Sequence, residues 1–440
     1  MMRYIGRFLP AVCLLLAGFT VQGQQKEEIK ARTFLRLLNG ERFAQASAMT
    51  SAAFRQQADT AALKKAWEGL ETHFGAYERL GSSSVLRRDS LTAVLINTLF
   101  KKNRVEIQVA FDRSGKVVGF HTLKVASRET VQAESDSAGG FRQVPDSLVF
   151  SDGTLKGTLM LPKDSMPVPV ALIIAGSGPT DRNGNNENGL HTDTYKLLAE
   201  GLAAKGVATL RYDKRYVGQS SHFDLQVPPR FEAYVTDAIA WIQQLGKDPR
   251  FSKVILIGHS EGALIGTIAA QEPGVAAFIS IAGAGRPLDD ILRTQLEQAK
   301  VLQPDFPLED AGRILDSLKQ GRAVRDVPVA LQDLFAPGVQ PFLISDFRYD
   351  PAVQLKRVAV PVLLINGTHD IQVPASEAQL LSQADPQATL RLIEGMNHVL
   401  KDAPADRAQN IATYGRADLP LSAGLLPSIT AFLQQHHILP

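Results

Sequence analysis

The stretch VILIGHSEGALIG, residues 254–266, decides how the rest of the chain is read. Val254 to Ile257 form a β-branched and leucine run suited to a buried strand, and Ala263-Leu264-Ile265 opens a helical pattern. Between them, Gly258-His259-Ser260-Glu261-Gly262 places a serine on a turn whose small flanking residues let strand and helix approach closely. The hydroxyl of such a serine projects above the sheet at the C-terminal strand ends. The helix that follows points its positive end at any oxyanion developing there. The pentapeptide alone is a weak signal; a strand before it and a helix after it make Ser260 a candidate nucleophile rather than a plain strand-to-helix turn.

A serine attacks only when a base takes its proton, and a carboxylate must orient that base. For a nucleophile on this kind of turn, acid and base follow in the order Asp or Glu, then His. Val360 to Asn366 is an apolar strand run, and Gly367-Thr368-His369-Asp370 follows it, which puts Asp370 at a strand tip on the same sheet edge as Ser260. Thr389 to Ile393 is a further strand run, followed by Glu394-Gly395-Met396-Asn397-His398, which puts His398 in the loop after the last strand. The plain alternatives are a helix cap for Asp370, ahead of Pro374, and a surface loop histidine for His398. His369 precedes the acid, the wrong order for the base. His259 is expected to point from the serine toward the core. His191 and His222 precede the nucleophile, and Asp346 and Asp350 are candidate substrate contacts.

An oxyanion needs two backbone N–H donors. One is expected from Glu261, after the nucleophile. The other is expected from Ser177, in the glycine-rich loop of IIAGSGPTDRNGNN, residues 173–186. That loop lacks GxGxxG spacing and a following Lys-Ser/Thr pair, so a phosphate cradle is disfavoured.

From Asp146 onward short apolar runs alternate with helical segments, the pattern of a mostly parallel α/β sheet with helices on both faces. Residues 283–356 interrupt it with helical periodicity (Leu288, Ile291, Leu292, Leu296; Ile314, Leu315, Leu318), which reads as a helical cap over the site. Residues 24–127 read as helices followed by antiparallel strands, a small α+β unit, with a hairpin signal at Asp112 to Gly115. Residues 128–145 have linker composition. Arg3 and Arg7 ahead of the apolar run Phe8 to Phe19 read as a signal peptide over residues 1–23, hence an exported, periplasmic or secreted protein; the alternative is an uncleaved anchor.

Taken together, AGSGPTDRNGNN (175–186), ATLRYDKR (208–215), GHSEGALIG (258–266), PVLLINGTHDIQVP (361–374) and GMNHVLK (395–401) resemble a family of bacterial α/β-hydrolases comprising esterases and serine aminopeptidase-like acyl hydrolases. The resemblance spans about residues 146–440. It implies the α/β-hydrolase fold and carboxylic-ester hydrolysis at Ser260, Asp370 and His398 without a cofactor. The sequence departs from the family pattern at Tyr216, where a glycine is usual, which leaves open a narrowed cleft or a mere surface position. Residues 24–127 resemble, in pattern only, the NTF2-like accessory domains ahead of some bacterial hydrolases.

Composition bounds the partners. A formal charge of +2 gives no case for nucleic acid, and without Arg3 and Arg7 the 45 remaining basic residues balance 45 acidic ones. The one cysteine, Cys13, lies in the signal stretch, so thiolate chemistry and disulfides are excluded from the mature chain; no HExxH cluster suggests a metal. The expected substrate is a small ester of short to medium acyl length, its acyl group lodged under the cap. The competing readings are a serine exopeptidase and a binding protein on an inactive scaffold.

Overall fold

A computed structural model describes residues 21–88, 91–127, 141–163, 167–186, 189–220, 223 and 229–440. The expected signal stretch up to residue 20, and most of the expected linker, lie outside the described residues. The described residues divide into two compact units, residues 21–127 and residues 141–440.

The first unit comprises α1 (Val21–Asn39), α2 (Phe43–Ala48), α3 (Ala52–Gln57), α4 (Thr60–Phe74) and β1 (Tyr77–Arg88), β2 (Leu91–Phe100), β3 (Asn103–Phe111) and β4 (Val117–Ser127). Ser51 caps α3 by accepting the Phe54 N–H, and Asp59 caps α4 by accepting the Ala62 N–H. The strands form an antiparallel meander in chain order. Residues two apart on β2 and β3 (Val94, Ile96; Val105, Ile107, Val109, Phe111) point inward and meet Phe34, Leu38 and Trp67 of the helices. At the tip of the β3–β4 hairpin the Asp112 carboxylate accepts the Ser114 and Lys116 N–H groups.

The second unit follows with β5 (Arg142–Phe150), β6 (Gly153–Leu161), β7 (Val168–Ile174), α5 (Thr194–Ala203), β8 (Ala208–Tyr212), α6 (Phe231–Lys247), β9 (Phe251–His259), α7 (Glu261–Ala269) and β10 (Val275–Ile281). Then come α8 (Leu288–Leu302), α9 (Leu308–Lys319), α10 (Gln332–Phe335), α11 (Gln340–Asp346) and α12 (Pro351–Leu355), followed by β11 (Val362–Gly367), α13 (Ala375–Ala384), β12 (Thr389–Ile393), α14 (Arg407–Ala412) and α15 (Leu425–Gln435). Its eight strands run β12-β11-β10-β9-β7-β8-β6-β5, parallel except where β6 meets β8 and β5.

Successive residues of the central strands serve opposite faces. Val170, Leu172, Ile174, Val254 and Leu256 join a core with Trp241 and Leu245 of α6. Ala171, Ile173, Ile255 and Ile257 join another with Leu198 and Leu202 of α5 and Ile429, Phe432 and Leu433 of α15. Burial on both faces is why these strands read as continuous apolar runs. The architecture is the α/β-hydrolase fold with a helical insertion.

One boundary differs from the sequence reading. Residues 142–145, expected in the linker, are the first half of β5, with Arg142 opposite Leu161 and Pro145 opposite Thr158. Pro145 lacks a donor, but β5 is the outermost strand of the sheet, where a missing ladder bond is tolerated.

The insertion is helical, as its periodicity requires. Leu292, Leu296, Ile314, Leu315, Leu318, Phe335 and Leu343 are buried in the core shared with α6. Phe342 packs on Phe231 and Tyr234, and the Phe231 N–H donates to Ser345 Oγ at 2.8 Å.

Candidate active site

Ser260 follows the last residue of β9 and precedes the first of α7, with φ +56° and ψ −120°. A β-carbon makes this backbone costly, and it persists because the surroundings over-determine it. Ser260 N–H donates to the Ile281 carbonyl of β10. A side chain at Gly258 would collide with the backbone of Gly262 and Ala263, and one at Gly262 with the carbonyls of Ile174 and Ala175 at the end of β7. The two glycines therefore allow α7 to lie against both strands.

Asp370 stands in the turn after β11. Its Oδ1 accepts the N–H groups of Gln372 (2.8 Å) and Val373 (2.9 Å), and its Oδ2 lies 2.8 Å from His398 Nδ1. The cap of α13 is Pro374, with no side-chain hydrogen bond, so Asp370 is not that helix's cap. With the carboxylate as acceptor, the hydrogen of this contact lies on His398 Nδ1, which leaves Nε2 outside it. Ser260, Asp370 and His398 are 6 %, 7 % and 5 % exposed, so the three side chains are largely closed to water.

Ser260 and His398 line one narrow cleft together with Gly176, Ser177, Leu190, Tyr195, Gln372, Val399 and Tyr414. Among the described residues, none that lines it comes from 283–356. Its lining comes from the loop after β7, the start of α5, the turn after β11 and the segments after β12. Within the insertion, Asp346 of α11 is 2% exposed. Buried Asp346 feels the charge of Glu261, and burial holds its carboxyl well above the ordinary carboxylate range. A larger surface groove bordered by Glu394, Asp402 and Ser428 holds no nucleophile and base among its described residues.

Of the other histidines, His369 Nδ1 pairs with the Ala403 carbonyl, His191 is exposed, and His222 lies outside the described residues. His259 is buried between Tyr195 and His398, and desolvation lowers its pKa from 6.5 to about 3. Asp350 caps α12 by accepting the Ala352 and Val353 N–H groups. Tyr216 has φ +67°, which is why a glycine suits that position; its ring packs on Phe223, and it is not among the cleft residues. No group of three or more potential metal-ligating His, Cys, Asp or Glu side chains occurs among the described residues.

Sequence reasoning missed Tyr195, Lys214, Gln372 and Tyr414. Tyr195 opens a helix as an ordinary apolar residue, and Lys214, buried, lies in the DKR stretch that had been read only as part of a family pattern. Lys214 Nζ donates to the Gly176 carbonyl at 2.5 Å and lies 3.5 Å from Glu261 Oε1.

Residues 188–402 match the family described as serine aminopeptidase, S33, and residues 31–120 match a family described as a protein of unknown function, DUF3887. Over 397 residues the chain is 26% identical to esterase EstD of Thermotoga maritima, covering 88% of this chain and 90% of that protein. It is 29% identical over 251 residues to human monoglyceride lipase, 54% of this chain and 78% of the lipase. The solved structure of Est1E from Butyrivibrio proteoclasticus is 19% identical with a TM-score of 0.43, covering 65% of this chain and 99% of that one. The likeness to the serine aminopeptidase S33 family thus rests on residues 188–402 of the 440-residue chain, within its α/β-hydrolase fold.

Proposed function

We propose that the protein hydrolyses carboxylic esters of short to medium acyl length through an acyl-enzyme on Ser260. The observation that carries this reading is the shared cleft of Ser260 and His398, with His398 Nδ1 held on Asp370. The full-length likeness to an esterase supports an ester over a peptide substrate. In the proposed cycle His398 Nε2 takes the Ser260 proton as Oγ attacks the ester carbonyl. The Ser177 and Glu261 N–H groups receive the oxyanion. The tetrahedral adduct collapses as His398 gives its proton to the leaving alkoxide, and an alcohol departs. Water, deprotonated by His398, then cleaves the acyl-enzyme to carboxylic acid and free serine. Asp370 holds the tautomer and stabilises the imidazolium. We further propose that residues 1–23 direct export.

Ser260→Ala should lower ester turnover by a factor on the order of 10⁴ with an unchanged melting temperature, and His398→Ala comparably, while Asp370→Asn keeps somewhat more activity. The measurements are kcat/KM on p-nitrophenyl esters and fluorophosphonate labelling of the full chain. Ser260→Ala with a tenth of the parent rate would overturn the assignment. Faster cleavage of aminoacyl-p-nitroanilides than of esters would replace the substrate class with the exopeptidase reading.

A further inference from the structure

Gly176 is gripped from both sides by side chains that the proposed cycle does not use. Its N–H donates to the Tyr195 hydroxyl at 3.0 Å, and its carbonyl accepts from the Lys214 ammonium at 2.5 Å. The direction of each bond is forced. His259 Nε2 lies 2.9 Å from the His398 carbonyl oxygen, which only accepts, so Nε2 carries a hydrogen. Burial keeps the His259 ring neutral, so its Nδ1 offers a lone pair. The Tyr195 hydroxyl, 2.8 Å away, therefore donates to Nδ1 and keeps an oxygen lone pair for Gly176 N–H. One uninterrupted chain of donors and acceptors links the loop after β7, helix α5, the residue before Ser260 and the backbone of His398.

The geometry gives this grip a purpose. A β-carbon on Gly176 would come within 3.1 Å of Ser260 Cβ, so this backbone runs directly beside the serine. In a trans peptide the C=O and the following N–H point in opposite directions. Turning the Gly176 carbonyl to Lys214 therefore turns the Ser177 N–H away from Lys214. An ammonium on the carbonyl also polarises that amide and strengthens its N–H as a donor. Lys214 is itself immobilised: its side chain is 4% exposed, beside Glu261 and 5.5 Å from the centre of the Tyr234 ring.

We propose that Lys214 and the Tyr195–His259 pair are positioning residues that hold the Gly176–Ser177 peptide as an oxyanion donor. The proposal rests on the reading of Ser260 as nucleophile. An oxyanion donor acts in the transition state far more than on bound substrate, so a loss of orientation should appear in kcat and not in KM.

The experiment uses the full chain as wild type, Lys214→Met, Lys214→Gln, Tyr195→Phe and Ser260→Ala. Active sites are counted by fluorophosphonate titration, and folding is checked by melting temperature. Lys214→Met and Tyr195→Phe should each lose about tenfold or more in kcat per titrated site, with KM within roughly twofold. Affinity for a trifluoromethyl ketone, which forms an oxyanion on the serine, should fall in parallel, while inhibition by the carboxylate product stays put. Lys214→Gln, which keeps a donor, should recover part of the loss. Folded variants that keep kcat and ketone affinity within roughly twofold would overturn the proposal, as would a loss confined to KM or to melting temperature. If Lys214→Met does not fold, Tyr195→Phe and Lys214→Gln decide on the same readings. A wild type that does not bind the ketone, or an active Ser260→Ala, would instead refute the nucleophile reading beneath it.

Discussion

His259 shows how far a single residue's surroundings can set its chemistry. A free imidazole in an unfolded chain binds a proton near pH 6.5, whereas buried His259 does so only near pH 3. In that window the unfolded chain takes up a proton that the folded chain refuses, so acid favours unfolding. The stability tied to a neutral His259 is complete above pH 6.5 and falls by about 1.4 kcal/mol per pH unit as the pH drops toward 3. We expect urea unfolding between pH 6.5 and 4 to show a pH slope of about one proton more in the wild type than in His259→Gln. Equal slopes would mean that the ring is charged in the folded protein. The same residue marks the limit of legibility at this scale. Ser260, Asp370 and His398 each sit in a short stretch whose own pattern announces a strand tip. The partners of His259 and Gly176 do not: Tyr195 stands 64 residues from His259, and Lys214 38 residues from Gly176. Their pairing is set by how α5 and β8 pack on the sheet, which no local spacing encodes.

At the scale of elements, the insertion between β10 and β11 was legible as helix, whereas the neighbours that cover its apolar faces were not. Periodicity reports that a helix has an apolar face, and it is silent on which neighbour covers that face. Here α11 turns its face to α6, where Phe342 meets Phe231 and Tyr234. Phe347 is 3% exposed within the same core. Truncating it to alanine should cost about 3–5 kcal/mol of stability, as for other buried phenylalanines, and leave the acyl-length profile of the surviving enzyme unchanged. Leu190→Ala and Tyr414→Ala, in the cleft itself, should shift that profile with little loss of melting temperature for Leu190. The measurements are denaturant melts and kcat/KM across straight-chain p-nitrophenyl esters. A shifted profile in Phe347→Ala, with none in Leu190→Ala, would return the acyl pocket to the insertion.

For the whole molecule, the two units raise the question of where the catalytic machinery ends. Every residue given a role in the proposed cycle lies in the unit containing residues 141–440. That unit starts its sheet at Arg142, whereas composition placed the boundary four residues later. The difference matters because residues 142–145 pair with residues 158–161 along β6, and Gln143 Oε1 accepts from the buried Arg211 guanidinium at 3.1 Å. Burial lowers the Arg211 pKa to about 10, so this guanidinium depends on the few acceptors it has. A fragment of residues 136–440 keeps the whole of β5; one of residues 146–440 bares half of the β6 edge and removes an acceptor from Arg211. We expect the longer fragment to fold and to label with fluorophosphonate at Ser260 as the full chain does. The shorter one should melt several degrees lower, by roughly the 2–4 °C per kcal/mol usual for domains of 150–250 residues or somewhat less, and aggregate more readily through its exposed edge. Loss of labelling in a folded 136–440 fragment would assign residues 20–135 a part in completing the site. Equal melting of the two fragments would mean that the first half of β5 contributes nothing to the sheet.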